Sequence, residues 1–136
     1  MIVVDTNVIA YLLLPGAATP AAERLVREDA EWCAPLLWRS EFCNVLAGYL
    51  RRRNVELAAA IRIAEAASGL VRGREFSVRA ADVLEAVSMS TCSAYDCEFV
   101  VLARELRLPL VTTDRRILRD FPDIATALPE FAAGSS

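Results

Sequence analysis

The 136-residue chain has no histidine, no lysine and only five glycines. Without histidine there is no imidazole general base, no Ser-His-Asp or Cys-His nucleophile system, and no histidine-containing zinc site. The few glycines form neither G-x-G-x-x-G nor G-x-x-x-x-G-K-[ST], which excludes the glycine-rich phosphate loops. No serine sits in a G-x-S-x-G elbow. With lysine missing, all 15 basic residues are arginine, against 18 acids, for a net charge of −3. General polyanion binders are basic, so contact with a nucleic acid has to come from a local patch or a metal ion.

Long apolar runs are lacking as well. The best candidate, residues 8–14, stops at Pro15-Gly16, far short of the roughly 20 residues that span a bilayer. The opening Met1-Ile2-Val3-Val4-Asp5 has neither the charged leader nor the apolar core of a signal peptide. Cys33, Cys43, Cys92 and Cys97 make no C-x-x-C pair. Their irregular spacing, with no export signal, reads as free buried thiols in a reducing cytoplasm.

What is present describes a folded chain. An apolar fraction of 55% with 24% charged residues excludes disorder, and this length supports one compact domain with its own core. Short apolar runs predict strands over 2–4, 32–34, 75–78 and 108–112. Helical spacing predicts helices over 7–14, 20–29, 36–53, 55–71, 80–88 and 94–106, with a short one over 114–118. Trp38, Phe42, Val45, Leu46 and Tyr49 form the apolar stripe of one helix. Tyr95, Phe99, Leu102, Ala103 and Leu106 form that of another, capped by Ser93. From Phe121 the chain mixes Pro122, Pro129 and a Gly134-Ser135-Ser136 end, and beyond about 124 it is loosely specified. Alternating strands and helices predict an α/β fold with a parallel sheet covered on both faces. The pattern does not give the strand order.

Four acids stand in unusual places. Asp5 follows the first strand, and Asp114 follows the strand over 108–112. Ligands of open parallel sheets bind beyond the carboxyl ends of the strands, near the point where strand order reverses. If the two strands are parallel neighbours, these carboxylates converge, although each also reads as a helix N-cap. Glu41 borders the apolar stripe of its helix, where it could equally pair with Arg39 or Arg53. Asp96 lies in a first helical turn, and Ser93-x-x-Asp96 is close to a capping box. Taken together, the four could line one concave site. Carboxylates about 5 Å apart repel by roughly 3 kcal/mol per pair at an effective dielectric near 20. A hard divalent cation removes that conflict, and Mg²⁺ or Mn²⁺ prefers oxygen ligands. Such an ion activates water and stabilises charge on a phosphodiester, so no histidine is required.

The segments Val3-Val4-Asp5-Thr6-Asn7-Val8-Ile9, Pro35-Leu36-Leu37-Trp38-Arg39-Ser40-Glu41, Ser93-Ala94-Tyr95-Asp96 and Leu110-Val111-Thr112-Thr113-Asp114 resemble the four acidic motifs of PIN-domain ribonucleases. Within that family, the length and motif order are similar to the VapC-type toxins of bacterial toxin–antitoxin pairs. The similarity runs from Ile2 to about Asp123 and says nothing about 55–78. It implies a three-layer α/β/α sandwich around a central parallel sheet, with residues 1–136 as one PIN-like domain. It implies that Asp5, Glu41, Asp96 and Asp114 are the catalytic acids and the Mg²⁺ or Mn²⁺ ligands, with Glu41 at the margin. Asn7 and Thr112 would hydrogen-bond around them and place water or phosphate. The implied activity is endonucleolytic hydrolysis of RNA leaving 3′-hydroxyl and 5′-phosphate ends, in a cytoplasmic homodimer. The implied partner is an antitoxin whose C-terminal segment crosses the cleft and sends an arginine towards the acids.

Two arginine groups bear on that reading. Arg115 and Arg116, beside Asp114, are placed to hold a substrate phosphate, because the guanidinium fork matches phosphate oxygens. Arg51, Arg52 and Arg53 read as a solvated helix end, with antitoxin or RNA contact as the alternative. A compact cleft reaches the backbone only of single-stranded or looped RNA. Helix surfaces around Trp38, Phe42 and Leu46, if exposed, would hold the antitoxin segment. The competing functions are another metal-dependent phosphodiesterase, including a PIN nuclease of RNA maturation, and a non-catalytic interaction module of the same fold.

Overall fold

The computed structural model describes residues 1–128. In chain order the elements are β1 (Ile2–Val4), α1 (Thr6–Leu13), α2 (Thr19–Glu28), β2 (Trp32–Pro35), α3 (Trp38–Arg51), α4 (Leu57–Leu70), β3 (Glu75–Phe76), α5 (Ala80–Ser88), α6 (Ala94–Leu106), β4 (Leu110–Thr112), α7 (Arg115–Asp120) and β5 (Ala125–Ala127). The five strands form one sheet in the order β3-β2-β1-β4-β5, and every neighbouring pair is parallel. From β1 the chain steps outward through β2 to β3, then crosses back to lay β4 and β5 on the other side. The order therefore reverses between β1 and β4, where Val3 registers with Leu110 and Val4 with Val111.

The central strands are apolar throughout because they are covered on both faces. Val3, Val4, Trp32, Cys33, Ala34 and Leu110 are all fully buried. Helix α6 packs across β1, β2 and β4 and carries α5, while α1 to α4 pack on one another. The result is a three-layer α/β/α sandwich. Pro20 sits in the first turn of α2, where its missing N–H costs no hydrogen bond. The Ser93 hydroxyl accepts from Asp96 N at 3.1 Å and starts α6.

Four expectations need correction. A fifth strand, β5, closes the sheet where the sequence pattern reads only a loose tail. In its Ala-Thr-Ala only the threonine favours a strand, and pairing with β4 supplies what the alanines do not. The Pro129 and Gly134-Ser135-Ser136 features lie outside the described residues. On α6, Tyr95 is exposed and Leu106 only half-buried, while Cys97, Val100 and Val101 join the core beside Phe99, Leu102 and Ala103. This helix is roofed by α5 as well as seated on the sheet, so its buried sector is wider than one stripe. Three cysteines are buried free thiols, but Cys43 is exposed. Finally, Trp38, Phe42 and Leu46 are at most 5% exposed. They are core of α3 and offer no surface to a partner segment.

Candidate active site

The strand reversal places two acids side by side. Asp5 N donates to Val111 O at 3.1 Å, which continues the β1–β4 ladder one residue past β1. Thr112, fully buried at the end of β4, then joins the two motifs. Its hydroxyl donates to Asp5 Oδ2 at 2.7 Å and accepts from Asp114 N at 3.0 Å. The N-cap alternative separates the two acids. Asp114 does cap α7, its Oδ1 accepting from Arg116 N and Ile117 N at 2.9 and 3.0 Å. Asp5 occupies the cap position of α1 without making a cap bond. Its carboxylate is turned to Thr112 instead.

Glu41 comes in from α3. Its Oε1 accepts from the hydroxyl of buried Thr6 at 2.7 Å. The surface pairing with Arg39 does not form, since Arg39 is taken by both oxygens of Glu75 at 2.8 and 3.0 Å. Asp96 enters from the first turn of α6.

These carboxylates lie near enough for their charges to act on one another. Burial raises the Asp5 pKa above the ordinary carboxylate value; the Thr112 hydroxyl opposes this, and the charges of Asp96 and Asp114 add to it. Burial likewise raises Glu41, opposed by Thr6 and reinforced by Asp5 and Asp96. Burial raises Asp96 too, with Asp114 adding and Ser93 and Arg116 opposing. Among the described residues no ion pair forms on any of the four acids.

The neighbourhood also includes residues that sequence reasoning missed. Thr6 fixes Glu41, and a hydroxyl directly after the first acid was a usable signal. Glu98, itself raised by burial, adds its charge to Glu41. No periodic signal marks it, because a residue two after Asp96 belongs to a different side of an ideal helix.

A hollow of about 630 Å³ lies against two of the acids, lined by Asp96, Asp114, Arg115, Arg116 and Arg119. Arg115 and Arg116 are exposed on its wall, and the charge of Arg116 reaches Asp96. Asn7 is placed otherwise. It is exposed on α1 and makes no hydrogen bond to the four carboxylates among the described residues. It opens instead into a neighbouring hollow with Tyr11 and Tyr49. Arg51, Arg52 and Arg53 are exposed at the end of α3.

The donor set consists of oxygens, which fits a hard cation such as Mg²⁺ or Mn²⁺ and not a thiolate- or imidazole-seeking one. Among the described residues no three acids or thiols already stand in metal-holding geometry. Mg²⁺ keeps several of its waters and needs only one or two direct carboxylates, so water-bridged contacts are compatible with these positions.

The raised acids give the free protein a defined pH response. A carboxylate whose native pKa is raised contributes stability that is complete below its unfolded value near 4 and is lost as pH climbs through the native value. Asp5, Glu41 and Asp96 therefore weaken the metal-free fold at pH 7. Asp29 and Asp120, whose pKa values are lowered, act oppositely and lose their contribution as pH falls. In EDTA, Asp5→Asn is expected to raise stability at pH 7 by about 1–2 kcal/mol, with the gain shrinking towards pH 4. Thermal melts of both proteins across that range check it. An unchanged or lowered Tm at pH 7 would mean that the cluster is not strained.

The PIN domain family model matches residues 2–124. The chain belongs to the PIN-domain family, whose members are in general nucleases and typically use a divalent metal. A comparison with curated proteins gives no match. Among solved structures, PAE2754 from Pyrobaculum aerophilum is similar at 20% identity and TM-score 0.75, over 97% of this chain and 93% of that one. FitAcB from Neisseria gonorrhoeae is similar at 19% identity and TM-score 0.72, over 92% and 95%. A toxin–antitoxin complex from Klebsiella pneumoniae is similar at 17% identity and TM-score 0.65, over 94% and 98%. At these identities the likeness is one of fold.

Proposed function

We propose that the protein is a Mg²⁺- or Mn²⁺-dependent endoribonuclease and the toxin of a toxin–antitoxin pair. The observation that carries this reading is the Asp5 carboxylate. It stands partly buried at the strand reversal, near enough to Asp96, Asp114 and Glu41 for their charges to act on one another, with no cation paired to any of the four among the described residues. A partly buried cluster of one sign is costly to keep unless a cation serves it.

Asp5, Asp96 and Asp114 would hold the ion, with Glu41 at the margin. When bound, the ion supplies an activated water and neutralises charge on the phosphodiester. The chain's own residues do the rest. Thr112 locks the Asp5 carboxylate and ties it to the turn bearing Asp114, so the two acids keep one geometry. Thr6 holds Glu41 Oε1, leaving Oε2 to take a proton from the attacking water. Burial raises the pKa of Glu41, which makes its carboxylate a stronger base for that role. Water oxygen bonds to phosphorus as the bond to the 3′-oxygen breaks, and the leaving oxygen is protonated from solvent. The ends formed are a 3′-hydroxyl and a 5′-phosphate. Arg115 and Arg116 hold the phosphate from the exposed side.

The toxin reading draws on the fold neighbour from a toxin–antitoxin complex. It places the protein in the cytoplasm with its RNA, bound by an antitoxin segment whose arginine reaches the acids. Exposed Leu84, Met89 and Tyr95 are apolar surface of the kind that a homodimer covers. Expression of the chain alone in bacteria is expected to arrest growth, and Asp5→Asn is expected to restore colonies. Equal growth of cells expressing either form would remove the toxin reading.

A further inference from the structure

Three of the six residues of α7 are arginines, and all three line the hollow beside Asp96 and Asp114. Arg115 and Arg116 form no ion pair among the described residues. Arg119 is held differently. Its Nε donates to Asp120 Oδ1 at 2.9 Å, and its Nη2 donates to Thr91 Oγ1 at 2.7 Å. Thr91 in turn donates from its backbone N and its hydroxyl to Asp120 Oδ2, at 2.8 and 2.7 Å. The three residues close a ring that clasps α7 to the turn between α5 and α6.

A surface ion pair between sequence neighbours usually contributes little to stability. This clasp does something else. Free arginine side chains lose much rotamer entropy when they bind, whereas one already fixed loses little. Arg119 stays 64% exposed while Asp120 is 13% exposed. The carboxylate is thus enclosed by donors and the guanidinium faces solvent at the hollow. Nη1 and the second Nη2 hydrogen have no partner within the ring, and they form a fork that suits phosphate oxygens.

We infer that Arg119, oriented by Asp120 and Thr91, forms a subsite for an RNA backbone phosphate flanking the one that is cut. Asp120 and Thr91 are positioning residues; Arg119 touches the substrate. A second hollow, lined by Ser88, Met89, Ser90, Thr91 and Asp120, adjoins the clasp. The subsite rests on the ribonuclease reading.

The test is fluorescence anisotropy with a labelled single-stranded oligoribonucleotide, using the full chain carrying Asp5→Asn so that the RNA stays uncut. Adding Arg119→Ala is expected to weaken binding roughly three- to tenfold and to reduce the slope of log K against log salt by about 0.7. Asp120→Asn discriminates by sign. It removes a negative charge, so charge alone would tighten binding, whereas loss of orientation weakens it. Thr91→Val leaves the charge unchanged and keeps the backbone bond to Asp120, and it too is expected to weaken binding. If Asp120→Asn binds as tightly as the parent or more so, or if Arg119→Ala or Thr91→Val changes nothing, the subsite is wrong. A parent that binds no RNA at any salt concentration would sink the ribonuclease reading along with it.

Discussion

Asp5→Asn is expected to lower RNA cleavage by roughly 10²–10³-fold or more while the metal-free protein becomes more stable. The two effects have one cause. Asparagine nearly matches aspartate in shape and still accepts the Thr112 hydrogen bond, so the β1–β4 edge has no reason to move. What disappears is a negative charge that the fold carries at a cost and that a divalent ion requires. The fold gains from its removal and the reaction loses, the usual opposition between stability and activity at a built site. Asp114→Asn is expected to lose activity similarly, but without the gain in stability. Its oxygen caps α7, and a charged cap at a helix start is favourable. The rate and melting temperature of each variant check the account. Loss of activity together with loss of stability in Asp5→Asn would point to unfolding and contradict it.

Thr112→Val is expected to have the next largest effect. The replacement is close in shape and fills the same fully buried position, so packing is preserved. Two hydrogen bonds are lost, however. Asp5 Oδ2 loses its donor and Asp114 N its acceptor, both in a part-buried setting. Leaving buried polar groups unpaired costs about 1–3 kcal/mol. Activity is expected to fall roughly 10–100-fold, as is usual when a hydrogen-bond partner of a metal ligand is removed. Thr112→Ser retains the hydroxyl and is expected to recover most of the activity. A valine variant as active as the parent would show that Asp5 needs no such anchor.

The extent to which the site was legible in the sequence follows from what each residue depends on. Asp5 and Asp114 stand after short β-branched runs, so their place at strand ends is a local fact. Their convergence is not local, because it depends on β1 and β4 being neighbours and no periodicity encodes that. Thr112 was readable as a candidate through its motif, yet its hydrogen bonds needed the register of Val4 with Val111. Glu41 was placed on the correct helix, but its partner is Thr6 and not an arginine, because Glu75 on β3 already holds Arg39. Asn7 shows the converse. Motif position put it beside the acids, while the turn of α1 carries its side chain into the adjacent hollow. β5 was missed because Thr126, alone between Ala125 and Ala127, is too weak a strand signal by itself, and the segment is recruited by an edge that is already formed. The clasp at Thr91, Arg119 and Asp120 joins a turn to a helix 28 residues away, and spacing gives no hint of it.

The central claim is hydrolysis of RNA at a cation held by Asp5, Asp96 and Asp114. It is tested most directly by incubating the purified chain with single-stranded RNA and Mg²⁺ and determining the chemistry of the new ends. The account predicts 3′-hydroxyl and 5′-phosphate ends, cleavage abolished by EDTA and restored by excess Mg²⁺, and none from Asp114→Asn. Ends carrying a 2′,3′-cyclic phosphate, or cleavage that persists in EDTA, would contradict it.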